Sequence, residues 1–168
     1  MTYKVIDNFL SEADFRLIYD TMMGYGFPWY YHHSVVWKEP EQDNNKNFFF
    51  GHPFSIDGKE SGYLHILKPL LFKLQVNKVL RIKGNLYPNI GELYQDEMHQ
   101  DFEFEHLGAL YYVNTNNGFT VLHDGTKIES VANRVLIFDS SLPHSSTRCT
   151  DQKVRVNINL NYYAPTRN

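Results

Sequence analysis

The sequence predicts a mainly β fold, an antiparallel sandwich or barrel with helices from the first half of the chain packed on one outer face. Three observations predict it. Tyr, Phe and Trp make up 15% of the 168 residues, and aromatic side chains suit the pleated surface of a sheet. From residue 78 onward, short strand-like runs recur, and in 78–83 and 153–161 polar and apolar residues alternate, the mark of a strand with one buried face. Turn-forming groups separate these runs at 114–118, at Asp124-Gly125 and at Ala132-Asn133. With 42% hydrophobic residues the chain can bury a real core. Residues 1–168 read as one domain, without a linker or an internal repeat.

Each element has a local reason. Val5, Ile6, Phe9 and Leu10 make 2–10 a strand or extended lead-in. Ser11 followed by Asp14 fits a helix cap with an acidic third position. Ala13, Leu17, Ile18 and Met22 then form a helical stripe that stops at Gly24 or Gly26. Pro28 forbids its continuation through the aromatic segment 27–31. Residues 38–47 are polar and turn-like and read as a mobile loop, a candidate lid. Leu64, Leu67, Leu71 and Leu74 predict a second helix over about 61–76, with Pro69 forcing a kink or a later start. Strands are predicted at 78–83, 107–113, 119–123, 126–131, 134–139 and 153–163.

Composition narrows the function classes. A net charge of −3 sets up no field that would draw in nucleic acid or an anionic membrane. Lys68, Lys73, Lys78, Arg81 and Lys83 form a mildly basic stretch, read as the solvated face of a helix and a strand. Cys149 is the single cysteine, which excludes an internal disulfide and a cysteine-rich zinc site. The N-terminal residues lack a signal-peptide apolar region, and no apolar run approaches the roughly 20 residues that span a bilayer. A soluble, cytoplasmic protein is the expectation.

The chemistry is carried by polar residues set into the ends of apolar strands. His99 and Asp101 are spaced so that, in extended backbone, both point the same way. His144 follows the apolar run Val135-Leu136-Ile137-Phe138 and a turn. An H-x-D triplet alone is weak evidence. Joined by a second histidine, it can hold one face of a ferrous ion and leave the other open to substrate and oxygen. In 153–161 the odd positions are polar and the even ones apolar, so Arg155, Asn157 and Asn159 share a face. Asn85 and Tyr87 share a face in the same way. A buried arginine suits two-point capture of a carboxylate, with Asn85, Tyr87 and Asn157 as further candidate contacts. His32-His33 reads as surface or lid, His106 as near the site without touching the ion, and His52, His65 and His123 as structural. Together the residues suggest a non-haem iron oxygenase with an organic acid as co-substrate.

His99, Asp101, His144 and Arg155, eleven residues further on, resemble the Fe(II)- and 2-oxoglutarate-dependent dioxygenase superfamily over about 78–163. The opening Val5-Ile6-Asp7-Asn8-Phe9-Leu10 also looks like small prolyl-hydroxylase-like members. Asn85-x-Tyr87 with Arg155-x-Asn157 is similar to AlkB-like nucleobase demethylases, though Asn161 stands where that branch carries a second arginine. The resemblance implies a double-stranded β-helix, or jelly roll, with iron at its mouth. It implies His99, Asp101 and His144 as metal ligands, and Arg155 on the far carboxylate of 2-oxoglutarate, helped by Tyr87, Tyr111 or Tyr112. The reaction implied uses O2, releases succinate and CO2, and hydroxylates a substrate, with a peptide or protein side chain favoured over a small molecule or a nucleobase. The alternatives are a redox-inactive cupin-like metal protein and an inactive scaffold whose segment 27–31 binds a partner. Trp29, Tyr30, Tyr31, Trp37 and 48–50 are read as a candidate aromatic entrance wall.

Overall fold

The computed structural model describes residues 3–34 and 46–165, so Trp37 and nearly all of the loop expected at 38–47 lie outside the described residues. The strands are β1 (Lys4–Ile6), β2 (Tyr30–His32), β3 (Phe49–Ile56), β4 (Lys59–Glu60), β5 (Lys78–Pro88) and β6 (Leu107–Tyr112). They continue with β7 (Asn116–Leu122), β8 (Lys127–Ser130), β9 (Arg134–Asp139), β10 (His144–Ser146) and β11 (Val154–Tyr163). The helices are α1 (Glu12–Met23) and α2 (Lys68–Lys73), the latter entered through a 3-10 turn at Leu64–Leu67. Among the described residues the order β1-β9-β6-β11-β5-β3-β2, with β4 on β3, forms an eight-stranded sheet; β10-β7-β8 forms a three-stranded one. Every pairing is antiparallel.

The long central strands β5, β11 and β6 have two unlike faces. Ile82 on β5, Val156, Ile158 and Leu160 on β11, and Ala109 and Tyr111 on β6 join one core with Phe15, Ile18 and Met22 of α1 and Leu70 of α2. The helices therefore cover one outer face, as the sequence predicts. Gly84 permits the close approach of α1, because a Cβ there would lie 2.9 Å from the Met22 methyl. A second core of Leu110, Tyr112, Leu122, Ile128, Leu136 and Phe138 lies between the two sheets. The opposite faces of β5 and β11 are polar, and they line the site.

The helices depart from expectation in one respect. Ser11 does cap α1, accepting from the Asp14 amide at 3.2 Å. The helix expected over 61–76, however, is a 3-10 turn plus six α residues. Pro69 sits in the first turn of α2, where a missing amide proton costs nothing. Strands β2, β3, β4 and β10 were not foreseen. Of the turn expected at 114–118, Asn114 and Thr115 do lie between strands, while 116–118 belong to β7, with an irregular pairing between Asn116 and Phe119.

Asn133 locks the N-terminal lead-in to the sheet. Its φ of 61° is left-handed, which asparagine tolerates better than most residues. Its carboxamide accepts from Leu10 N at 2.8 Å and Tyr111 Oη at 2.8 Å, and donates to Leu10 O at 3.0 Å. Tyr111 thus faces away from the site and is removed from the candidate acid-binding residues. Asn133→Ala should destabilise the protein by about 1–3 kcal/mol, since it strands buried polar partners; urea unfolding of the two proteins checks this.

Candidate metal centre and acid-binding pocket

The segment 94–101 runs beside β10 and its continuation, with bridges Gln95↔Thr147 and His99↔His144. His99 N donates to His144 O and His144 N to His99 O, both at 2.9 Å. The two histidines are therefore set opposite each other by main-chain bonds, with ring centroids 4.8 Å apart. His99 and Asp101 do not lie in a continuous strand as expected, but the two-residue spacing still turns both inward. One ligand atom each from His99, Asp101 and His144 lies within 4.8 Å of the other two, a grouping able to hold one ion.

The orientation of each ligand has a cause. His144 Nδ1 donates to Leu142 O at 3.0 Å, which fixes the tautomer and leaves Nε2 bare. That Nε2 lies 3.7 Å from Asp101 Oδ2. Burial pushes His144 below the usual imidazole value, against the pull of Asp101, so it is neutral near pH 7, the form that ligates. Asp101 accepts from Ser140 Oγ at 2.7 Å and Asn159 Nδ2 at 3.1 Å, and pairs with the Arg81 guanidinium. Burial alone would raise its carboxyl, but Arg81, His144, Ser140 and Asn159 outweigh this and hold it at about 2. Behind Asn159 stands Asn161, 3.4 Å away, and behind that His106 Nε2, 2.7 Å from Asn161 Oδ1. His106 therefore reaches Asp101 only through Asn161 and Asn159 and lies outside the His99–Asp101–His144 group.

Arg155 is fully buried at the other end of the same polar face. Its Nε donates to Ser130 Oγ at 2.8 Å, Nη1 to Ser146 Oγ at 3.1 Å and Nη2 to Thr120 Oγ1 at 3.1 Å. These hydroxyls come from all three strands of the small sheet. Among the described residues no carboxylate pairs with Arg155. A guanidinium has five N–H bonds; the three donated here leave one on each terminal nitrogen, the fork that grips a carboxylate. Its Cζ lies 5.5 Å from the Tyr87 ring centre and 5.7 Å from that of Tyr112. Burial first, then Asp96, push the Tyr87 phenol up, against Arg155, Arg148 and Ser146, so it stays a protonated donor.

The register ties the two ends together. Across β11 and β5, Arg155 faces Tyr87, Asn157 faces Asn85, Asn159 faces Lys83 and Asn161 faces Arg81. Asn85 Nδ2 donates to Asn157 Oδ1 at 3.1 Å, while the buried Asn157 Nδ2 has no partner among the described residues. Arg155, Tyr87, Asn85 and Asn157 thus share one strand face, and Asn159 on the same face joins it to Asp101 of the His99–Asp101–His144 group. Arg148 also enters the pocket: it is buried, pairs with Asp96 at 3.3 Å and lies 4.9 Å from the Tyr87 ring. Sequence reasoning missed Arg148, and the hydroxyls of Thr120, Ser130, Ser140 and Ser146. It also read Arg81 and Lys83 as solvated; their polar-apolar alternation with Ile82 was the signal that they share the face of Asn85 and Tyr87. Of the expected aromatic wall, Phe49 turns toward the site, stacking on Tyr87 at 5.7 Å. Tyr31, Phe48 and Phe50 form their own cluster.

No protein-family model matches the chain, and no curated protein sequence matches it. Solved structures do share its fold. An oxidoreductase of the 2OG-Fe(II) oxygenase family from Burkholderia pseudomallei superposes with a TM-score of 0.70 at 9% identity, covering 96% of this chain and 84% of that one. A prolyl hydroxylase from Trichoplax adhaerens, in complex with a hypoxia inducible factor oxygen degradation domain peptide, gives 0.64 at 17% identity, with 96% and 83% covered. HygX from Streptomyces hygroscopicus, with nickel and 2-oxoglutarate bound, gives 0.61 at 13% identity, with 98% and 83% covered. The fold is therefore the jelly roll of the 2-oxoglutarate oxygenases.

The charge state of Asp101 makes the metal-free protein acid-sensitive in a defined window. Its folded value of about 2 lies below the ordinary 3.8, so its contribution, about 2 kcal/mol, is complete above the ordinary value and lost as pH falls toward the folded one. Asp101→Asn should be less stable than the parent near neutrality and should lack this loss. Denaturant midpoints of both proteins across the acid range measure it.

Proposed function

We propose that the protein is a non-haem Fe(II)- and 2-oxoglutarate-dependent dioxygenase. The observation that carries the reading is the unused fork of Arg155, aimed from the same strand face whose Asn159 holds the carboxylate of a His-Asp-His cluster. A redox-inactive cupin-like protein has no need of that fork. His99, Asp101 and His144 would hold the metal. The donors suit Fe(II), although other divalent ions share the affinity. When bound, Fe(II) would supply the chemistry that splits O2, converts 2-oxoglutarate to succinate and CO2, and places one oxygen atom on a C–H bond of the substrate.

The protein's part is positional. Arg155 grips the far carboxylate, with the Tyr87 hydroxyl and the free Asn157 amide as further donors. The hydroxyls around the guanidinium keep it from swinging. Ser140, Asn159 and Arg81 hold the Asp101 carboxylate still, and the Leu142 carbonyl orients His144. Phe49, Tyr87 and Tyr112 exclude water around the charged groups, which strengthens every electrostatic contact among them.

For the substrate we favour a peptide side chain over a small molecule. Strand β2 is one edge of the large sheet among the described residues, and Tyr30 and Tyr31 on it are exposed. An open edge offers main-chain groups to an extended peptide. The reading tests directly. Fe(II) and 2-oxoglutarate added without oxygen should give a weak visible band, and air should then release succinate. His99→Ala and Asp101→Ala should each abolish the band, while Arg155→Ala should weaken 2-oxoglutarate by about 2–3 kcal/mol. A well-folded parent that gives neither band nor succinate overturns the assignment.

A further inference from the structure

Beside the candidate metal-binding group, Lys83 presents an ammonium group that no carboxylate pairs with among the described residues. It sits on β5 two residues from Asn85 and two from Arg81, on the polar face, opposite Asn159 of β11. Its Nζ lies 5.2 Å from the centre of the Phe49 ring, on which His32 also stacks at 4.7 Å. Lys83 has no hydrogen bond and no ion pair among the described residues. Burial first, then Arg81, disfavour its charged form and only Asp101 opposes them, a group already shared by Arg81, Ser140 and Asn159. Arg81 adds a second unanswered donor, since its buried Nε has no partner among the described residues.

A half-buried cation without a counter-charge is costly, so it marks a place where an anion belongs. Resting on the oxygenase reading above, 2-oxoglutarate does not satisfy it. Arg155 stands four residues further along the paired strands, about 13 Å of backbone away, and the co-substrate's own charges go to Arg155 and the metal. With those charges and Asp101 in place, a divalent ion, Arg155, Arg81 and Lys83 still leave the pocket net positive. We infer that Lys83 and Arg81 build a second oxyanion subsite at the metal end of the pocket, so that the substrate oxidised there carries a carboxylate or comparable oxyanion near the reacting carbon. The hydrophobic floor of Phe49 beneath Lys83 would pack the carbon skeleton that bears it.

The test uses Mn(II) in place of iron and acetate as the probe anion, read by the paramagnetic relaxation of its carboxyl carbon. In the Mn(II)–2-oxoglutarate complex, acetate should relax strongly in the parent. Lys83→Met should weaken its binding by about tenfold or more and leave 2-oxoglutarate affinity within about twofold; Lys83→Arg should restore acetate binding. If Lys83→Met instead weakens 2-oxoglutarate and acetate never binds the ternary complex, the subsite serves the co-substrate's nearer carboxylate and the inference about substrate is overturned. Unchanged acetate binding in Lys83→Met overturns it as well. The same titration with Mn(II) alone separates the two readings: acetate binding that depends on Lys83 in a protein that ignores 2-oxoglutarate upholds the subsite and sinks the oxygenase.

Discussion

Charge held inside a β-sandwich and only partly cancelled is the constraint on which the rest of this structure depends. Asp101, Arg81, Lys83 and Arg155 lie on or against one face of β5 and β11, where a solvated protein surface would be cheap and a sheet interior is not. The other face of the same strands is continuous hydrocarbon from Ile82, Val156, Ile158 and Leu160 against α1 and α2. That burial offsets the cost of the polar side, because the period of two in a strand lets one residue stabilise the fold while its neighbour serves the site. Helices on one side and ionised groups on the other are two consequences of one alternating sequence.

Much of this was legible before any coordinates. The alternation in 153–161 marked Arg155, Asn157 and Asn159 as one face, and the two-residue spacing of His99 and Asp101 survived even though the backbone there is not a regular strand. The capping of α1 and the shortening of α2 by Pro69 follow from local rules that act over a few residues. What stayed hidden depends on long-range pairing. Strand β10 is three residues of His-Ser-Ser, too short and too polar to announce itself, yet it carries His144 and a hydroxyl for Arg155. Strand β3 contains Pro53 and His52 among aromatics, a composition that does not alternate. His52 nevertheless is buried and structural, held between Pro28 O and Ser61 Oγ.

Arg81 and Lys83 show where a local reading fails for a physical reason. Alternation states that two residues share a face but not which face meets water. Here the apolar partner Ile82 points to the helices, so the lysine and arginine point to the sandwich interior. Only the pairing of β5 with β11 decides this, and it sets Arg81 and Lys83 opposite Asn161 and Asn159, far away in the sequence.

The three hydroxyls around Arg155 have one more consequence. Thr120, Ser130 and Ser146 are dipoles, not ions: they fasten the guanidinium while leaving its positive field intact. An acidic side chain at any of the three would satisfy the same N–H groups from within and quench that field. A single Ser146→Asp change would therefore cancel the guanidinium's charge from within and draw β10 of the small sheet more tightly onto β11 of the large one.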